Sequence, residues 1–380
     1  MADPRTAQAT GPSRAPSPLR RALRTWVWVV PAAAVVLLVL IWERDIPWPV
    51  YLLAGALLIG TILAAVHHAE IVAHRVGEPF GSLVLAVAVT VIEVALIVTL
   101  ILIKPVGTET LARDTVFAAV MITVNGIVGI SILVGGMRYT LPRFNREGAG
   151  SALAVVATLT TMTLVLPTFT ISEGGAQFSD SQLIFVGIVA VVLYTGFVLL
   201  QAGRHRDFFL PVGKSGEPIS EDVHVAPPST RSALISLGVL LVALVGVVGL
   251  AKSVSPGIEH VVNAAGIPAS FVGVVVALIV LLPEGLAAIK AALRNRLQTS
   301  LNLGLGSAMA SIGLTIPTLA VATIWLPTPL VLGLGPVQIV LFALTMVVAT
   351  LTLVPGRATR LQGVVHLAIL ASFIFLAAQP

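Results

Sequence analysis

Seventeen carboxylates are spread through this 380-residue chain, and two of them, Glu93 and Glu284, fall deep inside long apolar runs. Glu93 sits between Leu83 and Ile103, and Glu284 between Ala269 and Leu293. A carboxylate at bilayer depth costs roughly 2.5–3.5 kcal/mol on insertion scales unless it faces a polar cavity or a cation. Two of them, about 190 residues apart, point to a shared mid-membrane cation site. A carboxylate out of water favours its protonated form and a bound cation favours the ionised one, so proton and cation exclude each other there.

The elements that must hold such a site are membrane-spanning helices. The chain is 57% hydrophobic and 10% charged, with a mean hydropathy of +1.02, whereas soluble domains carry roughly 25% charged residues. With no cysteine, disulfides and thiolate metal sites are excluded. The isoelectric point near 10.1 does not indicate nucleic acid, because the arginines are scattered over short loops. Hydropathy and loop breaks predict eleven helices, over roughly 26–42, 48–66, 79–103, 115–136, 150–170, 181–201, 232–251, 268–291, 301–325, 329–354 and 361–378. With the N-terminus inside, 18 of the 22 basic residues are cytoplasmic, leaving Arg44, Lys104, Arg113 and Lys252 outside. That positive-inside split predicts a multi-pass protein of the cell (inner) membrane with its C-terminus outside.

Residues 1–24, rich in Pro, Ser and Arg, are expected to be a disordered cytoplasmic N-terminus, and 25–45 an extra, uncleaved transmembrane helix. A hydrophilic linker at 203–231 separates two five-helix halves, 46–202 and 232–380. An odd number of spans per half inserts the second half upside down, the inverted-repeat plan of many secondary transporters. Each half carries its buried glutamate on its second helix. The third helix of each is rich in small and polar residues: Thr123, Asn125, Gly126 and Ser131, then Gly306, Ser307, Ser311 and Thr315. Small residues let helices approach closely, which plain packing also explains. Pro283 and Pro317 each remove a helical hydrogen bond and free a carbonyl one turn earlier, near Ile279 and Gly313.

These residues resemble the cation/calcium exchanger superfamily, most closely the bacterial ChaA-type calcium/proton or sodium/proton antiporters. Ala73-His-Arg-Val-Gly-Glu-Pro-Phe-Gly-Ser-Leu83 followed by Glu93 is similar to the start of that family's first repeat motif. Leu282-Pro-Glu-Gly-Leu286, Asn302, Gly306-Ser307 and Pro317 are similar to the second. The resemblance implies that Glu93 and Glu284 are the cation and proton ligands. Better-known exchangers read G-N-x-x-E, whereas Val89-Thr90-Val91-Ile92-Glu93 stands here, and the positions near Val280-Leu281 are apolar as well. Calcium takes six to eight oxygens, so carbonyls such as that of Ile279, the hydroxyls of Thr90, Ser307 and Ser311, and water would complete the shell. Sodium or potassium is the alternative cargo.

His67, His68 and His74, with Glu70 and Glu78, lie at the cytoplasmic end of the second helix and just beyond it. Histidine titrates near neutral pH, so these are candidates for sensing cytoplasmic pH; a solvated juxtamembrane face is the plainer reading. His366 and Tyr194 read as ordinary helix residues. Thr158, Thr160, Thr161 and Thr163 form a patch suited to lining a cavity or to hydrogen bonding. An intramembrane phosphatase would need a cationic clamp, and no Arg or Lys falls at bilayer depth. A passive channel would assemble its filter from several subunits, while this chain holds both halves of a site itself. The expectation is thus a non-enzymatic antiporter with no cofactor, whose partners are calcium or monovalent cations, protons and lipid, with homo-oligomerisation left open.

Overall fold

The computed structural model describes residues 18–44, 46–77, 80–103, 109–203, 205–213, 217, 227–268, 270–325 and 329–380. The disorder expected before residue 18, Glu78, and residues 204, 214–216 and 218–226 of the central linker fall outside the described residues. The first helix already begins at Pro18, inside the segment expected to be disordered.

Helices form wherever the apolar runs extend, because a backbone surrounded by hydrocarbon must satisfy its own polar groups. They are α1 (Pro18–Ile41), α2 (Trp48–Val76), α3 (Phe80–Ile103), α4 (Leu111–Tyr139), α5 (Arg146–Thr168) and α6 (Asp180–Ala202). The second half holds α7 (Thr230–Ala264), α8 (Phe271–Val280), α9 (Leu282–Leu293), α10 (Leu297–Ala322), α11 (Pro336–Leu353) and α12 (Arg360–Ala378). Nine are long and apolar enough to cross a membrane; α8 and α9 together make a tenth span, bent by 53°; the shorter Thr25–Ile41 brings the crossings among the described residues to eleven. The span expected at 268–291 as one helix breaks because Pro283 has no N–H for the Ile279 carbonyl and its ring crowds that turn. Pro317, by contrast, sits inside an unbroken α10.

The helix expected from residue 329 starts only at Pro336. Residues 329–335, with Pro329, Gly333 and Gly335, run extended instead, held by Val331 N–H to the Glu109 carbonyl and Gly333 N–H to the Ala176 carbonyl. Two helices are locally wound wider, α4 over Ile122–Ile127 and α5 over Thr161–Val165. Such π-turns recur at functional positions. Of the threonine patch on α5, Thr158, Thr160 and Thr163 each donate to a carbonyl one turn back.

Apolar packing divides into two cores. One joins α1, α2 and α7 through residues such as Leu38, Ile62, Ala243 and Leu250. The other joins α4, α5, α6 and α10–α12 around Phe117, Leu159, Leu305 and Phe373. The glutamate-bearing helices lie between. Ile92 and Leu96 of α3 and Val280 of α8 belong to the first core; Ile97 of α3 and Ala277 of α8 belong to the second.

Candidate functional site

At the seam of the two cores lies a cavity of about 250 Å3 lined by Glu93 of α3 and Glu284 of α9. It continues to Gln201, Thr299 and Asn302, at the end of the bundle where α6 leaves for the linker and α10 begins. Thr90, Ser307 and Ser311 also line it, so the structure gathers both glutamates and three of the four candidate supporting residues. Ile279 is not among the lining residues. Its side chain packs against the α1–α2–α7 core, whereas the group nominated by sequence is its backbone carbonyl, which the missing N–H of Pro283 leaves without its helical bond.

The two carboxylates sit in different surroundings. Glu93 is only 4% exposed, and hydroxyls of α10 satisfy both its oxygens: Ser311 donates to Oε1 at 2.6 Å and Thr315 to Oε2 at 3.0 Å. Glu284 is at the first turn of α9, and its Oε2 is buried with no hydrogen-bond partner. A buried acceptor left unpaired bears its full desolvation cost, which a proton or a cation at that oxygen would relieve. Among the described residues no three His, Cys, Asp or Glu side chains converge on one point. Any metal shell must therefore be completed by hydroxyls, the Asn302 amide, carbonyls and water.

Thr315 was missed as a site residue by sequence, although its signal was present. Ser307, Ser311 and Thr315 recur every four residues, which on a helix stacks them along one face. Tyr194, read as an ordinary helix residue, lines the same cavity. His366 is fully buried and more than a helix residue: Nδ1 lies 3.0 Å from the Asn125 side-chain oxygen and Nε2 3.2 Å from the Thr352 hydroxyl. Asn125 in turn donates to Thr345 at 2.9 Å, so this polar network braces the π-turn of α4 from the side away from the cavity.

The three histidines of α2 differ in exposure, although the rings of His67 and His68 meet edge-on with centroids 5.7 Å apart. His68 is buried against α1, with Nε2 3.2 Å from the Val27 carbonyl and its ring edge-on to Trp28. His67 is exposed and 4.0 Å from Glu70, and His74 is exposed. Helical geometry puts neighbours 67 and 68 about 100° apart, which sends one to a packed face and the other outward.

The profile of the sodium/calcium exchanger protein family matches residues 18–203 and 235–379. The y4hA protein of Sinorhizobium fredii is 45% identical over 364 residues, covering 93% of this chain and 96% of that protein. The sodium-potassium/proton antiporter ChaA of Escherichia coli is 33% identical over 350 residues, covering 91% of this chain and 94% of its own. Among solved structures, the H+/Ca2+ exchanger CAX matches with a TM-score of 0.70 at 14% identity, over 95% of this chain and 93% of that one. Identity so low speaks for the fold alone. With the family profile covering nearly the whole chain on either side of the linker and relatives matching nearly end to end, the chain belongs to the sodium/calcium exchanger protein family of transmembrane ion antiporters.

Proposed function

We propose that this protein exchanges a cation for protons by alternating access to Glu93 and Glu284, with calcium as the cargo and export as its direction. One observation carries the reading: two carboxylates, one from either side of the central linker, line a single cavity at the seam of two apolar cores. Two negative charges neutralise a divalent ion, and in a low-dielectric interior uncompensated charge is expensive. The positive-inside bias makes the linker end cytoplasmic, so the cavity is taken as the cytoplasmic loading route. Protons arriving on the other face displace the metal, since both compete for the same oxygens.

Sodium or potassium is the second reading. It is favoured by the name of the E. coli relative and by the scarcity of amide oxygens around the two glutamates. Everted vesicles energised with a proton gradient separate the two. Addition of calcium is expected to dissipate the gradient most strongly, with sodium second. Dissipation by monovalent ions alone would replace calcium with sodium or potassium, and no response to any of the three would end the antiporter reading. Current without a pH gradient would mark a channel instead.

The hydroxyl pair on Glu93 gives a graded test of the same site. Ser311→Ala removes the shorter bond and leaves one buried oxygen unpaired. It is expected to weaken the apparent cation affinity roughly tenfold, the size typical of lost ligand-orienting groups. Thr315→Val should have a smaller effect because its bond is longer. Equal affinities in wild type and Ser311→Ala, read from cation titrations of the vesicle signal, would place the hydroxyl outside cation binding.

A further inference from the structure

We propose that Arg143, Arg146 and Arg357 form a binding site for a phosphate group at the linker end of the bundle, sharing no lining residue with the glutamate cavity, and that the phosphodiester of an anionic lipid supplies it. The turn between α4 and α5 and the turn between α11 and α12 run antiparallel there, pairing Arg143 with Arg357. Phe144 N–H donates to the Gly356 carbonyl at 3.0 Å, and Ala358 N–H to the Pro142 carbonyl at 3.3 Å. The register depends on Gly356, whose φ of +69° is left-handed and whose missing Cβ would sit 3.3 Å from the Phe144 oxygen. The two arginines are thus held opposite each other by backbone, not brought together by chance side-chain positions.

Like charges directly across a strand pair repel and destabilise it. Among the described residues neither Arg143 nor Arg357 has an ion pair with a carboxylate. Arg146 lines the same cavity of about 410 Å3, and the one carboxylate there, Glu147, is paired with it at 2.7 Å. Three cations and one anion leave two positive charges in excess. The first amides of α5 do not contribute, because the Asn145 side-chain oxygen already accepts from Glu147 N–H and Gly148 N–H. The recognition elements are therefore the guanidinium forks, whose planar donors match two phosphate oxygens at once. The helix ends place the cavity at headgroup level, where basic pockets between transmembrane helices take up anionic headgroups. A free phosphate from solution offers the same chemistry and is the alternative source.

The test uses the full-length protein in neutral detergent, titrated with phosphatidylglycerol, phosphatidylcholine or inorganic phosphate and read by native mass spectrometry. Wild type is expected to retain phosphatidylglycerol and not phosphatidylcholine. Arg143→Gln with Arg357→Gln should weaken that retention about 30-fold, from two lost surface cations. Displacement of the lipid by millimolar inorganic phosphate in wild type, absent in the double variant, would support the site and identify free phosphate as its ligand. Arg143→Lys with Arg357→Lys keeps the charge, and with it the topological signal, but loses the forks. It should bind several-fold more weakly than wild type, and it serves where the Gln pair fails to fold. Retention equal to wild type by either double variant overturns the site.

Discussion

Glu93→Gln and Glu284→Gln are each expected to abolish cation-driven proton movement while leaving the protein folded. Glutamine keeps the shape and one oxygen of glutamate but carries neither the charge that holds a cation nor the group that takes up a proton. At Glu93 the amide oxygen can still accept from Ser311, whose bond is the shorter of the two, and the amide nitrogen can turn to the Thr315 oxygen. Packing around this buried residue therefore survives. At Glu284 the buried, unpartnered Oε2 becomes either a neutral acceptor or a donor. Removing a charge from such a place relieves desolvation instead of adding to it. The vesicle pH signal should fall to background in both variants, with monodisperse protein and near-wild-type thermal unfolding. Normal exchange by either variant would remove that residue from the mechanism.

Gly363→Ala is expected to destabilise the protein by about 1–3 kcal/mol, the usual range for forcing volume into a tight contact. A Cβ at Gly363 of α12 would lie 2.7 Å from the Leu133 nitrogen and 2.8 Å from the Gly129 oxygen of α4. These are backbone atoms, so no rotamer change relieves the clash, and the two helices would have to separate. Their separation would also pull His366 from Asn125. The same substitution at Gly238 of α7 meets nothing within 4 Å. There the gain in helix propensity should stabilise by about 0.5–1 kcal/mol. Opposite shifts in thermal unfolding from one chemical change at two glycines would establish the α4–α12 crossing as backbone contact. A Gly363→Ala protein as stable as wild type would contradict it.

The eleven crossings and the two buried glutamates were legible in sequence for one reason: in hydrocarbon, the price of an unpaired polar group dominates every local preference. Where that cost is silent, the sequence reading failed. Residues 329–335 are apolar, yet they run extended, because their backbone finds partners in Glu109, Leu164 and Ala176 far away in the chain. Hydropathy counts side chains and does not see such pairings. The π-turn at Ile122–Ile127 left no mark in composition for the same reason. His366 looked ordinary because its partner Asn125 lies 241 residues away. Ser311 and Thr315 stood together among the small and polar residues of their helix, but only Ser311 was named as a candidate ligand, and Thr315, one turn further along the same face, was overlooked. Pro283 announced a break but not its angle of 53°.

The core that joins α4, α5, α6 and α10–α12 is laced with directional bonds, among them Asn125–His366–Thr352 and the Arg113–Asp114–Gln338 cluster. The bonds of the α1–α2–α7 trio stay within it: His68 to Val27 and Arg75 to Thr230 join its helices. Across the seam it is mainly aliphatic side chains that meet, and dispersion forces have no preferred direction. A sheet of oil between two braced frames is a slip plane. One frame could shift along the other by exchanging one set of contacts for a nearly equivalent set once the two hydroxyl bonds from α10 to Glu93 of α3 let go. The shapes of residues such as Ile92, Leu96 and Val280 would then set the friction along that plane, their bulk more than their polarity deciding how fast the two frames could pass.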